Sequence, residues 1–439
     1  MHNRNSFVTR WLTTAPDWLF AAYAIVASFS TYFCMYAFRK PFTAATYDEL
    51  GTFFGLDLKT ALVISQIIGY TLSKIIGMKV CSDWSRANRG LVLVLLIIWA
   101  QSALVVFAVA PMEWKVLAIF LNGLPLGMIW GLVVRYLEGR RLSELVLAGL
   151  SCSYIIASSV VKDVGLVWMA SGVSDVWMPA VTGFCFLPLY LLSVWMLNQV
   201  PEPSVANMDS RTERPKMNRA DRIRFVRQFW VGLLLLFTVY FFLTAYRDFR
   251  DNYGIEIFQT LGYAKTPAVF TRTEFPVAIG VVLTLAALNV FRNHRHGLIA
   301  VFAVMTFGLL LMSGATLMLD FGLLQGRELW WMVLIGLGSY LAYVPFGTAL
   351  FERLLASTHF RGNAVFAIYI ADSVGYTGSV AIQIYKDFFQ SDINRFEFLH
   401  AFTYALSSWG AVLLVASGLY FTPETRRMSG SSQSGPDSI

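Results

Sequence analysis

Along this chain apolar residues gather in blocks of twenty or more, separated by short polar breaks, rather than alternating or recurring as one helical stripe. Crossing a hydrocarbon core of about 30 Å takes about twenty helical residues. The pattern predicts twelve spans, at about 17–45, 58–79, 90–110, 115–137, 144–168, 178–199, 229–250, 267–291, 297–319, 328–351, 362–385 and 398–421. The longest polar stretch, PEPSVANMDSRTERPKMNRADRIRF from Pro201, divides them six and six. The expected organisation is an N-terminal tail (1–16), a six-helix bundle (17–199), a linker (200–227), a second six-helix bundle (228–422) and a Ser/Gly-rich disordered tail (423–439).

Composition agrees with a membrane solvent. Of 439 residues, 56% are hydrophobic and only 14% charged, too little polar surface for a soluble chain of this size. The fold class expected is an all-α integral membrane protein of two pseudo-symmetric bundles. Basic residues concentrate on alternate breaks: Arg4 and Arg10, Arg86 and Arg89, Arg140 and Arg141, the linker, Arg292 and Arg295, Arg353 and Arg361, Arg426 and Arg427. The positive-inside rule puts those breaks and both termini in the cytoplasm, with a bacterial inner (plasma) membrane the expected location. The net charge of +7 then needs no nucleic-acid partner. No small-residue cleavage site precedes the first span, which reads as an uncleaved insertion signal. Cys34, Cys81, Cys152 and Cys185 lack metal or disulfide spacing and are assigned to packing. No nucleophile elbow, metal cluster or His-carboxylate pair appears in the spans, so neither an enzyme nor a cofactor or metal site is expected.

Three local matches obey one six-span offset. Tyr32 precedes Arg39 by seven residues in the first span, and Tyr240 precedes Arg247 by seven in the seventh. RANRGL after the second span matches RNHRHGL after the eighth, and YIIASSVVK in the fifth lies on YIADSVGY in the eleventh with one gap, pairing Lys162 with Tyr376. Together they indicate a duplicated six-helix unit, a layout that suits a transporter with its binding site near mid-membrane.

A charge at the bilayer centre costs about 2.5 to 3.5 kcal/mol on insertion scales, so charges kept within spans face a cavity or a partner. Those here are Arg39, Lys74, Lys162 with Asp163, Arg247 with Asp248, Arg250 with Asp251, Glu274 and Asp372. Arg39 and Arg247 occupy matched places in the two repeats. Two guanidiniums converging from opposite halves suit a phosphate or carboxylate, because the planar fork binds two oxygens and stays charged. Lys74 either anchors the basic side or adds a third cation; Lys162 either pairs locally or faces the cavity. Glu274, beside a proline, and Asp372, mid-span, either pair with nearby cations or serve coupling and gating, since a buried carboxylate can titrate near neutrality. RDFRDN otherwise reads as an outer-rim salt-bridge network, and Lys40 as a headgroup anchor.

Taken together, YxxxYxxRKxF at Tyr32, Tyr36, Arg39, Lys40 and Phe42, the second-span stretch YTLSKIIGMKVCSDWSRANR and GYTGSVA at Gly375–Ala381 resemble the organophosphate:phosphate antiporter branch of the major facilitator superfamily. That branch includes the glycerol-3-phosphate and hexose-phosphate transporters. The resemblance implies that Arg39 and Arg247 hold a phosphate with Lys74, Tyr32, Tyr36, Tyr70 and Tyr376 around it, and that Asp83, Arg86 and Arg89 form the loop motif after the second helix. It also implies a glutamate at Glu274. Three departures stand out: no fifth-helix histidine, so Lys162 is the candidate for that place; Lys79 where glycine is expected; and the additions Asp372 and RDFRDN. The expected function is a monomeric secondary transporter moving an anionic, phosphorylated organic solute by alternating access, in exchange for phosphate, with the lipid bilayer its only other partner. The alternatives are a proton-coupled transporter of another organic anion and a non-transporting sugar-phosphate sensor.

Overall fold

The computed structural model describes residues 6–83, 86–137, 143–202, 219–263, 266–288, 290–291, 293–358, 360 and 364–431. The chain forms two compact units, one of Met1–Thr212 with Asn252–Thr271 and one of Glu213–Asp251 with Arg272–Ile439.

The first unit holds α1 (Phe7–Thr14), α2 (Asp17–Met35), α3 (Leu58–Asp83), α4 (Arg86–Val109), α5 (Met112–Leu126), α6 (Ile129–Leu137), α7 (Ser143–Ala170) and α8 (Met178–Gln199). Two-residue strands at Thr52–Phe53 and Leu56–Asp57 pair antiparallel before α3. The second unit begins in α9 (Arg219–Asn252), and the chain continues through α10 (Gly254–Thr260), α11 (Val269–Leu288), α12 (His294–Asp320), α13 (Leu329–Thr348), α14 (Leu350–Thr358), α15 (Ala364–Phe389) and α16 (Arg395–Ser431). In hydrocarbon each backbone N–H and C=O must be paired within the protein, and a helix pairs them within the segment itself. Among the described residues ten helical stretches are long and apolar enough to cross a membrane. The predicted fifth and eleventh spans are also helical, within α7 and α15, and carry Lys162 and Asp163, and Asp372.

Proline divides two of the predicted spans. Pro125 lies in the last turn of α5 and Pro345 in the last turn of α13, so the fourth span is α5 then α6 and the tenth is α13 then α14. A proline supplies no N–H to the preceding turn and crowds its carbonyl. The ends also differ from expectation. Residues 219–227, read as linker, are helical and run into the seventh span across a kink at Phe229 (φ −112°, ψ 18°). Residues 252–271, placed by sequence with the second bundle, group with the first unit. Helix α16 continues to Ser431; linker residues 203–218 and tail residues 432–439 lie outside those described.

Small residues let helices of the first unit approach closely. A Cβ on Gly123 would stand 2.6 Å from the Gln66 carbonyl, one on Gly69 2.5 Å from that of Phe120, and one on Gly127 would overlap the Tyr70 carbonyl. This Gly-x-x-x-Gly seam on α5 presses its backbone against α3. It fixes the height of Tyr70.

Candidate functional site

In the first unit the stretch YAFRKPFTAA is where helix α2 loosens. After Met35 the backbone passes through 3₁₀ turns at Tyr36–Phe38 and Pro41–Ala44, with Arg39 and Lys40 between them. Pro41 has no N–H for the turn before it, so nearby carbonyls need other donors. Asn122 of α5 supplies one, its Nδ2 donating to the carbonyls of Phe38 at 2.9 Å and Ala100 at 3.0 Å. Gln66 of α3 donates from Nε2 to the Arg39 carbonyl and to Asn122 Oδ1, both at 2.9 Å. These two buried amides were not singled out from sequence. Their presence in apolar runs is a signal, because a buried amide needs partners. Replacing Asn122 by alanine is expected to lower stability by about 1 to 3 kcal/mol, measured by unfolding in mixed micelles, because the Phe38 carbonyl is left without its donor.

So held, Arg39 lies with its Cζ 3.9 Å from the Tyr70 ring centroid and 5.7 Å from that of Tyr36. Lys74, one helical turn beyond Tyr70 on α3, puts its Nζ 5.4 Å from the same Tyr70 ring. The phenols of Tyr32 and Tyr70 approach at 3.4 Å, and Tyr32 packs edge-on against Tyr36 at 5.6 Å. The structure thus brings together Arg39, Lys74, Tyr32, Tyr36 and Tyr70. It adds Trp130 of α6, edge-on to Tyr32 at 4.8 Å, which was not singled out from sequence.

The other first-unit predictions fall elsewhere. Lys162 is 2% exposed, with its Nζ 4.3 Å from the Phe270 ring centroid. Asp163 accepts from the backbone N–H groups of Phe270 at 3.2 Å and Thr271 at 2.7 Å. Lys40 is not a headgroup anchor: it is buried and donates to Asn252 Oδ1 at 2.8 Å. Arg89 donates to the Arg135 carbonyl at 3.2 Å and faces the Tyr136 ring. The side chains of its loop partners Asp83 and Arg86 lie outside the described residues.

In the second unit Arg247 of α9 stacks on Tyr343 of α13, Cζ to centroid 4.1 Å, and pairs with its neighbour Asp248 at 2.7 Å. Asp248 also accepts from Ser379 at 2.8 Å. Tyr240 stacks with Tyr343 at 5.1 Å and donates to Asp372 Oδ1 at 2.8 Å. Tyr376 lies within electrostatic reach of Arg247. Arg250 pairs with Glu274 of α11 at 2.6 Å, not with the adjacent Asp251, and donates to the Met332 carbonyl at 2.7 Å. RDFRDN is therefore not an outer-rim network: Asp248, Arg250 and Asn252 are all buried. Glycines at 375 and 378 bring α15 onto α9, where a Cβ at Gly375 would stand 2.5 Å from Thr244 Oγ1.

The two units share a scheme. In each, the tyrosine seven residues before an arginine packs on an aromatic ring near the proline break of the fourth or tenth span: Tyr32 on Trp130, Tyr240 on Tyr343. Guanidiniums on tyrosine faces gain cation–π attraction, stronger where water is excluded. Arg247 and Arg250 pair with the carboxylates of Asp248 and Glu274, and Arg39 and Lys74 share the ring of Tyr70. Among the described residues no His, Cys, Asp and Glu cluster could hold a metal ion.

A family model described as a family of unknown function (DUF5690) matches residues 41–424. No curated protein matches the chain in sequence. Solved structures similar to it include a D-xylose–proton symporter, at TM-score 0.62 and 14% identity over 93% of this chain and 99% of that one. The nucleoside transporter NupG matches at TM-score 0.59 and 13% identity, over 91% of this chain and 98% of its own. A bacterial homologue of the human lysosomal transporter Spinster, inward-facing and unoccupied, matches at 0.59 and 12%, over 94% and 98%. At such identity the likeness shows the fold, which is the all-α membrane fold of the major facilitator superfamily.

Proposed function

The chain belongs to the DUF5690 family of unknown function and has the major facilitator fold, and from that premise we propose that it is a secondary transporter moving an anionic, phosphorylated organic solute by alternating access. The observation that carries the reading is Tyr70, whose ring lies within cation–π range of both Arg39 and Lys74. Two like charges beside one ring repel in a medium of low dielectric, and an anion between them removes that repulsion. The guanidinium fork suits two phosphate oxygens, the ammonium suits a third, and the phenols of Tyr32 and Tyr70 supply hydroxyl donors. Exchange follows if the anion's charge is what lets the cationic site close, because the bound anion then favours the closed state over the open one. The structural neighbours, a D-xylose–proton symporter and a nucleoside transporter among them, favour transport over sensing.

Purified protein in liposomes, given a panel of organophosphates, carboxylates and uncharged sugars, tests this reading. Saturable uptake confined to phosphorylated solutes is the expected result; uptake of uncharged sugars alone overturns it, and saturable binding without flux points to a sensor.

Proton coupling is the second reading, favoured by the Tyr240–Asp372 hydrogen bond. Glu274 is committed to Arg250, which leaves Asp372 as the coupling candidate. If phosphate exchange drives transport, Asp372→Asn leaves the response of uptake to an imposed pH jump unchanged; abolition of that response assigns coupling to this carboxylate.

A further inference from the structure

The described stretch that opens α9 is too long and too basic to be part of a span. The helix Ala220–Asn252 has 33 residues, about 50 Å at a rise of about 1.5 Å each, against a hydrocarbon core of about 30 Å. Its excess lies at the start, where residues 219–228 carry Arg219, Arg222, Arg224 and Arg227 against one acid, Asp221, and where the kink at Phe229 separates them from the apolar run. One face of this segment is a core face: Phe225 and Phe229 are buried against each other, Phe360 and Phe421. The adjoining face repeats every three to four residues as Arg222, Ile223, Val226, Arg227 and Trp230. Its apolar members are open, with Ile223 57% and Trp230 59% exposed.

That face is not flat. With Phe366 of α15 it lines a cleft of about 420 Å³, with Arg222 and Arg227 among its walls. The guanidinium of Arg222 lies 5.4 Å from the Phe366 ring centroid, which holds it at the cleft. A basic segment at the end of a span, with an exposed tryptophan at the start of the apolar run, is what an interface with anionic lipid selects. The mixture also excludes simpler occupants. A free anion gains nothing from Ile223, Val226 and Trp230, and an uncharged lipid gains little from the two arginines.

We propose that this cleft binds a phospholipid of net negative charge, its phosphate held by Arg222 and Arg227 and the upper part of one acyl chain laid along Ile223, Val226 and Trp230. The site is separate from the aromatic and charged clusters described above and concerns a lipid ligand, not the transported solute.

Titration of the full chain in detergent by native mass spectrometry, with phosphatidylglycerol and phosphatidylcholine as probes, tests it. Phosphatidylglycerol is expected to bind more tightly, and Arg222→Gln with Arg227→Gln to weaken it about thirtyfold while weakening phosphatidylcholine, whose choline offsets its phosphate, much less. Ile223→Ser with Trp230→Ser is expected to weaken both lipids. All four side chains are exposed, so the variants retain the buried core of the helix. Equal affinity of the Arg222/Arg227 variant and the parent for phosphatidylglycerol overturns the proposal, as does equal binding of the two lipids by the parent. Displacement of phosphatidylglycerol by millimolar inorganic phosphate alone also overturns it, assigning the arginines to a free anion.

Discussion

Arg39→Lys is expected to reduce exchange of phosphorylated solute at least about thirtyfold while leaving the protein folded. The substitution keeps the positive charge but removes the planar fork that engages two oxygens and stacks on Tyr70 at 3.9 Å. Truncating one member of a desolvated, hydrogen-bonded charge pair typically costs about 2 to 5 kcal/mol, and the lower figure corresponds to about thirtyfold. The backbone there is held independently of the side chain, by Gln66 on the Arg39 carbonyl and Asn122 on that of Phe38. A loss of flux with unchanged melting temperature is therefore the signature of a ligand-binding arginine. A loss of both would make Arg39 a structural clamp on Tyr70.

The second large effect concerns stability. Arg250 is 4% exposed and Glu274 pairs with it at 2.6 Å, so Glu274→Ala leaves a desolvated guanidinium without its carboxylate. Breaking a buried pair from one side costs about 3 to 5 kcal/mol, whereas replacing both members with apolar groups of similar volume is often neutral. The double variant Arg250→Met, Glu274→Leu is expected to recover most of what Glu274→Ala loses, read as the free energy of unfolding in mixed micelles. Gly336 contributes by its size, since a Cβ there would stand 2.5 Å from Arg250 Nη2. If Glu274→Ala unfolds no more readily than the parent but loses a pH response, Glu274 is a coupling group and its pairing is incidental.

The spans were legible because the bilayer imposes a length on every apolar run, and ten of the expected ones satisfy it among the described residues. The aromatic and cationic set around Tyr70 was legible in part, through the spacing of Tyr32, Tyr36 and Arg39 and its echo at Tyr240 and Arg247. Trp130 was not, because a tryptophan in an apolar run looks the same whether it packs in a core or faces a tyrosine. Gln66 and Asn122 announce only that they need partners; their targets are the carbonyls of Phe38, Arg39 and Ala100, which only the fold brings near. Charge pairing was least legible. Adjacent residues on a helix point about 100° apart, yet Arg247 is long enough to reach back to Asp248, while Arg250 leaves Asp251 for Glu274 on another helix. Lys40 shows the same limit: at the end of an apolar run it looks like an anchor, and only the fold supplies Asn252.

Counterflow tests the central claim most directly. Liposomes loaded with unlabelled inorganic phosphate and reconstituted with the full chain are expected to accumulate labelled phosphate transiently, to lose that overshoot when an organophosphate competes outside, and to show almost none with Arg39→Lys. Overshoot of equal size with Arg39→Lys and Arg247→Lys, or none with phosphate beside a clear one with an uncharged sugar, would contradict an anion site built on Arg39, Lys74 and Tyr70.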